Sequence, residues 1–351
     1  MLAGTSLLKI ALFGGVILSL SACQGALDGI SQKANAPVPK RLITKMKAQG
    51  MSVTSPIMLR IFKQENTLEV WKRKDTGRYA LLTTHEICKW SGKLGPKFKE
   101  GDRQAPEGFY RVNKHQMNPN SQYHLSFNMG FPNAYDRSHG RTGSHLMVHG
   151  ACSSAGCYSM TDDRVEEIYA LARDAFKGGQ KAFQIQAYPF HLTAKNMVKQ
   201  RSHPQFKFWQ MLKRGYDHFE ITKVPPKVDV CGKRYEFNTE SSKRYPSSGL
   251  CPPRKMPLRL ANAYLKQQNT YATRFEDLLA KAEGRKAAAL SPLSYTSLLP
   301  GVTITDPNLV KPAPTVTTTS ATERTTSPTD ALATKTPLST DKSVPKIKPA
   351  G

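Results

Sequence analysis

Short β-rich runs separated by turn residues occupy the first half of the chain. Runs with many β-branched and aromatic residues span 57–62, 67–71 and 79–83, and turns such as Asp75-Thr76-Gly77 separate them. Later runs of the same kind span 108–112, 145–149 and 182–188. Because strands joined by short turns usually pair in an antiparallel way, the pattern predicts a mostly β region over about residues 55–190.

Two segments have the periodicity of helices instead. In the first, Thr161 or Asp162 can cap a helix, Asp162 and Asp163 suit its positive end, and apolar residues share one face until Gly178-Gly179 ends it. A second apolar stripe, over about 204–214, predicts a helix packed in the core. Sheet with a few peripheral helices predicts a β-rich α+β fold.

The N-terminus has the features of an export signal. Lys9 precedes an apolar run over 10–20, which is too short for a bilayer span of about 20 residues. The next residues, Leu20-Ser21-Ala22-Cys23, resemble a bacterial lipobox, so we predict a signal peptide over 1–22 and lipidation of Cys23. A membrane anchor that keeps its leader is the alternative. In either case the body of the protein faces the cell envelope.

The remaining chain divides by composition. We predict a tether with a short helix over 23–54, a catalytic domain over 55–190, a helical extension over 191–290 and a disordered Thr/Ser/Pro/Lys tail over 291–351. Gln24, rather than Asp, follows the predicted lipidation site. This favours a lipid anchor on the periplasmic face of the outer membrane of a Gram-negative cell.

Net charge limits the expected binding partners, and the number of cysteines limits how they can pair. The sequence has 51 Lys and Arg residues against 26 Asp and Glu, a net charge of +25, which suits an acidic polymer, anionic lipid or nucleic acid. An exported protein meets no cytoplasmic nucleic acid, so we expect the basic surface to face the cell wall or anionic lipid. Lipidation of Cys23 would leave five of the six cysteines, hence at least one free thiol; Cys231 and Cys251 flank a polar loop and could pair.

One segment combines a base with a nucleophile. An apolar strand ends at His149, and Cys157 follows after a turn that runs from Gly150 to Gly156. A thiol with a pKa of roughly 8.5 needs a nearby base to attack at neutral pH, and His149 is placed to be that base. The flexible turn can bring the two side chains together, and backbone amides near Cys157 can form an oxyanion hole.

Several motifs together resemble the L,D-transpeptidase (YkuD-type) family. They are the His-Gly and Ser-x-Gly-Cys elements over 149–157, the Gly-Cys-Tyr-Ser-Met-Thr-Asp run over 156–162, the Gly-Asp-x-x-x-Pro-Glu-Gly-x-Tyr segment over 101–110, and the loop segments 124–128 and 140–143. The run over 156–162 is similar to the YafK-like murein branch in particular. The resemblance implies an L,D-transpeptidase (YkuD-like) sheet domain, and composition separately predicts the disordered C-terminal tail.

The resemblance also implies a reaction. Cys157 would attack the carbonyl at the L-centre of diaminopimelate in a peptidoglycan stem peptide, giving a thioester. An amine acceptor then gives a cross-link or an attached protein, and water gives hydrolysis; both outcomes remain open. Outer-membrane proteins attached to or released from peptidoglycan are expected partners, and no cofactor or metal is implied.

The resemblance assigns substrate contacts as well. The expected substrate-binding residues are Ser154, Gly156, Arg141, His124 and Tyr158, with Asp136 and His139 as further polar candidates. The commoner family form has Ser/Thr-His-Gly-Cys followed by Arg, whereas this chain has Ala155 and Ser159 nearby. We therefore expect Arg141 to hold the substrate carboxylate.

Other interpretations of the same residues remain open. Cys152 could pair with Cys157, could pack as a redox-sensitive thiol, or could bind zinc with His145, His149 and Cys157. On a strand, however, the two histidines would stand about 13 Å apart, which disfavours zinc. The alternative function is a non-catalytic peptidoglycan-binding lipoprotein. A papain-like enzyme is disfavoured because it would place the cysteine before the histidine.

Overall fold

The structure, a computed structural model, describes residues 32–306. The predicted signal peptide, the lipidation site Cys23 and the tail beyond residue 306 lie outside the described residues. Within 32–306, no helix combines the length and apolar character needed to cross a bilayer.

Fourteen strands are described. They are β1 (Ile57–Phe62), β2 (Thr67–Arg73), β3 (Tyr79–Glu86), β4 (Lys89–Trp90), β5 (Gly108–Asn113), β6 (Met117–Asn118), β7 (Ser126–Asn128), β8 (Met147–His149), β9 (Tyr158–Ser159), β10 (Ala182–Tyr188), β11 (Val228–Cys231), β12 (Arg234–Phe237), β13 (Arg254–Pro257) and β14 (Val302–Thr305).

One helix precedes these strands, and the others lie between them. They are α1 (Lys40–Ala48), α2 (Ala134–Ser138), α3 (Asp162–Lys177), α4 (Ala194–Lys199), α5 (Phe206–Thr222), α6 (Leu258–Glu283) and α7 (Tyr295–Leu298), with a 3-10 turn at Lys114–Gln116.

Two five-stranded sheets organise the chain. The first has the order β3-β2-β1-β10-β5, and only its β1–β10 pair is parallel. The predicted antiparallel succession of β1, β2 and β3 is confirmed. All six residues of β1 are buried, as expected for a central strand that is covered on both faces.

The second sheet carries the candidate site. Its order is β4-β9-β8-β7-β6, and only its β8–β9 pair is parallel, with His149 opposite Ser159. Strand β8 begins at Met147 rather than at the predicted residue 145, because His145 has a left-handed backbone with φ of +54°. Helix α3 follows β9 directly and spans 162–177, as predicted.

Helix α5 joins a second, aromatic core to the sheets. It extends to Thr222, beyond the predicted end at about 214, and buries Phe208, Trp209 and Leu212 as predicted. The buried carboxylate of Glu107 accepts hydrogen bonds from the Trp209 indole at 2.8 Å and from the Lys63 ammonium at 3.1 Å. This ion pair and hydrogen bond fix α5 to the first sheet.

The C-terminal part contains more strand than composition predicts. Strands β11 and β12 form a hairpin, and β13 pairs with β14 in parallel. Residues 295–298 and 302–305, expected to belong to the disordered tail, form α7 and β14. Leu299 between them is buried with Met256 and Tyr264, so this local burial offsets the polar composition and corrects the start of the tail.

Candidate active site

Strand pairing places His149 and Cys157 on one face of the second sheet. Val148 pairs with Tyr158, and both side chains are fully buried. Since side chains alternate along a strand, the neighbours of this pair point to the opposite face, and His149 and Cys157 share it. His149 is opposite Ser159, which is two residues after Cys157. The spacing between neighbouring strands, combined with the rise of two residues, puts the Cα atoms of His149 and Cys157 about 8 Å apart. Both side chains line one cavity.

Cys157 is the only free thiol among the described residues. Its Sγ accepts the Met147 N–H at 3.4 Å and donates to the His145 carbonyl at 3.7 Å. Burial raises the pKa of the Cys157 thiol, while the Met147 N–H and the Lys97 ammonium act to lower it. The resting thiol is therefore protonated at neutral pH, and its activation requires a base.

The imidazole of His149 is held in the form that can serve as this base. Its Nδ1 lies 2.6 Å from the Gly150 carbonyl. A carbonyl only accepts hydrogen bonds, so Nδ1 carries the proton and the lone pair remains on Nε2. Burial lowers the pKa of His149, although the Gly150 carbonyl acts in the other direction. The ring is therefore neutral at pH 7, and Tyr123 packs against it at 4.8 Å between ring centroids.

Gly150 is required by close packing. A Cβ there would lie 2.5 Å from the Asp162 carboxylate and 3.0 Å from the Tyr123 carbonyl. The same Asp162 carboxylate accepts the Ala151 N–H at 2.7 Å. The aspartate that begins α3 thus holds the start of the catalytic turn, since a carboxylate that accepts a backbone N–H fixes the turn's entry.

A disulfide fixes the middle of the turn. Cys152 is bonded to Cys88, with 5.4 Å between their Cα atoms. This finding corrects three expectations: Cys152 is not paired with Cys157, is not a free redox-sensitive thiol, and has no sulfur available to bind zinc. Within residues 32–306, no group of three or more His, Cys, Asp or Glu side chains could hold a metal ion.

Ser154 and Gly156 shape the end of the turn. The Ser154 hydroxyl donates to the Cys157 carbonyl at 2.7 Å and accepts the Gly156 N–H at 3.3 Å. Gly156 has φ of +125°, a conformation that favours glycine. Ser154 lines the cavity, but its hydroxyl is bonded within the turn, so its contribution in this structure is to orient Cys157.

Lys97 carries a positive charge that acts on the Cys157 thiol. Its ammonium pairs with the Asp102 carboxylate and donates to the Lys99 carbonyl at 2.9 Å. A Cβ on Gly143 would lie 2.7 Å from the Lys97 side chain, so this glycine leaves room for it. Lys97, just before the 101–110 segment that carries the resemblance, thus contributes a positive charge that acts on Cys157.

The cavity has a volume of about 620 Å³, and a loop that the sequence analysis missed forms one wall. Asn118, Asn120, Gln122 and Tyr123 from this loop line it. The sequence feature that could have indicated this wall is a stretch rich in amide and hydroxyl side chains between two strands. Among the described residues, no Lys, Arg, Asp or Glu lines the cavity, so its hydrogen-bonding groups are neutral.

Two expected substrate residues lie elsewhere. Tyr158 is fully buried, and its hydroxyl donates to the Pro106 carbonyl at 2.7 Å, because it points to the face opposite Cys157. Arg141 pairs with the buried Asp136 at 2.8 Å and packs among aromatic rings. Neither side chain lines the cavity, which corrects both expectations.

The two histidines expected to contact substrate, His124 and His139, also lie outside the cavity. His124 lies 2.6 Å from the Glu166 carboxylate and packs beside Gly150, behind the catalytic turn. His139 is exposed and lies against the ring of Tyr135. These contacts are structural, and they correct the expectation that His124 and His139 face the substrate.

The chain, with its two five-stranded sheets and a histidine and a cysteine on one face of the second sheet, is similar to known proteins. The family model of the L,D-transpeptidase catalytic domain (YkuD) matches residues 58–181. The chain is also 44% identical over 228 residues to YafK of Escherichia coli K12, which is itself assigned only provisionally as an L,D-transpeptidase. That match covers 65% of this chain and 89% of the relative. The chain therefore belongs to the L,D-transpeptidase family, which acts on peptidoglycan.

Further similarities extend across species. YafK of Escherichia coli O157:H7 shows the same 44% identity and the same coverage. Among solved structures, the helical cell shape determining protein Pgp2 from Campylobacter jejuni is 18% identical, with a TM-score of 0.31, covering 54% of this chain and 79% of that one. Bd1075 from Bdellovibrio bacteriovorus is 22% identical, with a TM-score of 0.28, covering 48% of this chain and 61% of that one.

Proposed function

We propose that this protein transfers acyl groups of peptidoglycan stem peptides through a thioester on Cys157, with His149 as the general base. One observation carries the proposal: the only free thiol among the described residues and a neutral imidazole share one sheet face and one cavity. The neutral amides of the 118–123 loop suit a peptide substrate, because they can pair with its backbone groups.

The first half-reaction needs a change of thiol partner. In the resting site the Cys157 proton points to the His145 carbonyl, which cannot remove it. When the thiol turns to His149, Nε2 takes the proton and the sulfur attacks the peptide carbonyl. The carbon–nitrogen bond then breaks, the imidazolium protonates the leaving amine, and a thioester remains.

The second half-reaction regenerates the enzyme. An amine acceptor, or water, attacks the thioester carbonyl while His149 takes its proton. The carbon–sulfur bond breaks, and the proton returns to Cys157. Backbone N–H groups near Cys157 would stabilise the oxyanion in both halves. The acceptor decides between cross-linking, attachment of a protein and hydrolysis, including release of outer-membrane proteins from the wall.

The decisive experiment is product analysis of purified muropeptides. The wild-type protein should exchange or cleave stem peptides, and Cys157→Ala should lower this activity at least about 10³-fold, since it removes the nucleophile. His139→Gln, an exposed histidine outside the cavity, serves as a control for surface change. Equal activity of wild type and Cys157→Ala would rule out the proposed nucleophile. The products separate transfer from hydrolysis.

We also propose that the chain is an envelope lipoprotein anchored through Cys23 at the periplasmic face of the outer membrane. The lipobox-like segment over 20–23 supports this proposal. Mass spectrometry of the mature N-terminal peptide should find Cys23 as the first residue, carrying acyl chains. Cys23→Ser should abolish acylation, whereas an unprocessed N-terminus would contradict the proposal.

A further inference from the structure

A second cavity, of about 540 Å³, lies between helix α5 and the β11–β12 hairpin. Its lining includes four cations and two buried aromatic rings: Lys207, Arg214, Lys233, Arg234, Tyr135 and Phe208. Among residues 32–306, no carboxylate belongs to the lining. We call this cavity the basic cleft.

One wall of the basic cleft is a face of α5. Lys207 and Arg214 are seven residues apart in this helix, so they lie two turns apart on the same face. Lys207 is exposed. Arg214 contacts the neutral Tyr264 hydroxyl, and its buried Nε has no hydrogen-bond partner in the described part of the chain. Its positive charge is therefore not neutralised by that contact.

The other wall is a hairpin whose turn is rigid. Cys231 pairs with Arg234, which leaves Gly232 and Lys233 as a two-residue loop. Both loop residues have positive φ, +54° and +60°, as a type I′ turn requires. A disulfide from Cys231 to Cys251 anchors the hairpin beside this turn. Both cations of the hairpin are thus carried on a backbone that is already ordered.

The cations of the basic cleft differ from their neighbours in the same region. Lys213 on α5 pairs with Asp217 at 2.5 Å, and Arg254 pairs with Glu236 at 2.5 Å. Within residues 32–306, none of the four cleft cations forms such an ion pair. Four converging positive charges without a carboxylate partner favour an anionic ligand with more than one charge.

Residues 135–145 contribute to both cavities, because Tyr135 lines the basic cleft and His145 lines the catalytic cavity. Tyr135 on its floor lies 5.0 Å from the Arg141 guanidinium. Four residues after Arg141, His145 lines the Cys157 cavity and accepts the thiol's hydrogen bond through its carbonyl. The same segment of the chain therefore contributes to both cavities.

We propose that the basic cleft is a second peptidoglycan-binding site, which holds the carboxylates of one stem peptide while another stem peptide of the same polymer occupies the Cys157 cavity. The identity of the polymer rests on the proposed function. The anionic chemistry rests on the cleft itself. Two weak sites on one polymer bind more tightly than either alone, because the second contact is intramolecular.

The test measures cosedimentation with purified peptidoglycan sacculi at low salt. All variants carry Cys157→Ala, so that turnover does not alter the polymer. Lys233→Glu/Arg234→Glu reverses the charge of the hairpin, and Arg73→Glu/Arg78→Glu makes the same change at exposed residues of the β2–β3 hairpin. We expect the cleft variant to raise the Kd about tenfold. The control should change it less than about threefold, with similar thermal unfolding midpoints for both.

Two further arms identify the ligand. Amidation of the sacculus carboxylates should weaken binding of the Cys157→Ala protein about as much as charge reversal in the cleft does. Equal binding by the cleft and control variants would overturn the proposal. A cleft variant that loses binding to phosphatidylglycerol vesicles but keeps it to sacculi would also overturn it, assigning the cleft to a membrane. Muropeptide turnover tests the proposed function separately, so each can fail alone.

Discussion

The Cys157 cavity and the basic cleft differ most in charge. The first is lined by amides, hydroxyls, histidines and one thiol, and the second by four cations. Burial raises the pKa of Cys157 and lowers that of His149, which keeps both groups uncharged at rest. Cations placed away from the chemistry can still attract an anionic polymer. Under our two proposals, the cations of the basic cleft serve binding and the neutral cavity serves the reaction.

The largest effect on activity is expected from substitution of His149, and it tests whether the neutral cavity is the site of reaction. His149→Gln keeps a polar side chain but removes the base, and we expect kcat/KM on muropeptides to fall about 10²–10⁴-fold. The matched change His139→Gln should have little effect, because His139 lies outside the cavity. Activity of the His149 variant within about threefold of wild type would show that His149 is not the general base.

Removal of each disulfide should affect only one of the two regions. Cys88–Cys152 holds the catalytic turn and closes a separation of 64 residues, whereas Cys231–Cys251 holds the cleft hairpin and closes 20. Paired Cys→Ala substitutions should lower the free energy of unfolding by about 4 and about 3 kcal/mol respectively. The first pair should mainly lower turnover and the second mainly sacculus binding. The reverse pattern would contradict the division.

Acid pH should affect the regions differently. Burial lowers the pKa of His149 below 6.5 and that of His218 on α5 to about 3. The unfolded chain therefore binds protons near pH 6.5 that the folded chain does not. Stability present above pH 6.5 is lost as the pH falls, by up to about 1.4 kcal/mol per pH unit for each group.

Two measurements separate these histidines. In thermal unfolding from pH 7 to pH 5, His218→Gln should reduce the pH slope of stability. In muropeptide turnover, wild-type activity should hold through pH 6.5 and fall below it, as His149 becomes protonated. An acid limb that begins above pH 7 would contradict a neutral resting His149.

The smallest expected effect is at Tyr158, next to the nucleophile in sequence. Tyr158→Phe removes the hydrogen bond to the Pro106 carbonyl and should lower the free energy of unfolding by about 1 kcal/mol. Because the ring faces the core, KM should change less than about twofold. A large rise in KM in a stably folded variant would return Tyr158 to the substrate site.

Local patterns predicted much of the framework. Strands β1 and β10 and helix α3 have the predicted bounds, because their periodicity and their terminating residues lie within the segments themselves. The parallel β8–β9 pair and the Cys88–Cys152 disulfide were not predicted, since both depend on pairing between distant segments. The loop over 118–123 was missed for the same reason.

The candidate site shows the same limit at the level of single residues. Polarity and neighbourhood suggested Arg141 and Tyr158 as substrate contacts, but neither property fixes which face of an element a side chain occupies. Tyr158 is adjacent to Cys157 and therefore points the opposite way along the strand. Arg141 is drawn into an ion pair with Asp136, which the sequence places only five residues away but does not mark as buried.

The most direct test of the Cys157–His149 site is acylation by a carbapenem, whose strained lactam carbonyl reacts with an activated thiol. Intact-mass and peptide mass spectrometry of the wild-type protein should find one adduct, on Cys157, and its formation should slow markedly in His149→Gln. An adduct that persists in Cys157→Ala, or a wild-type protein that forms none, would contradict the assignment of nucleophile and base.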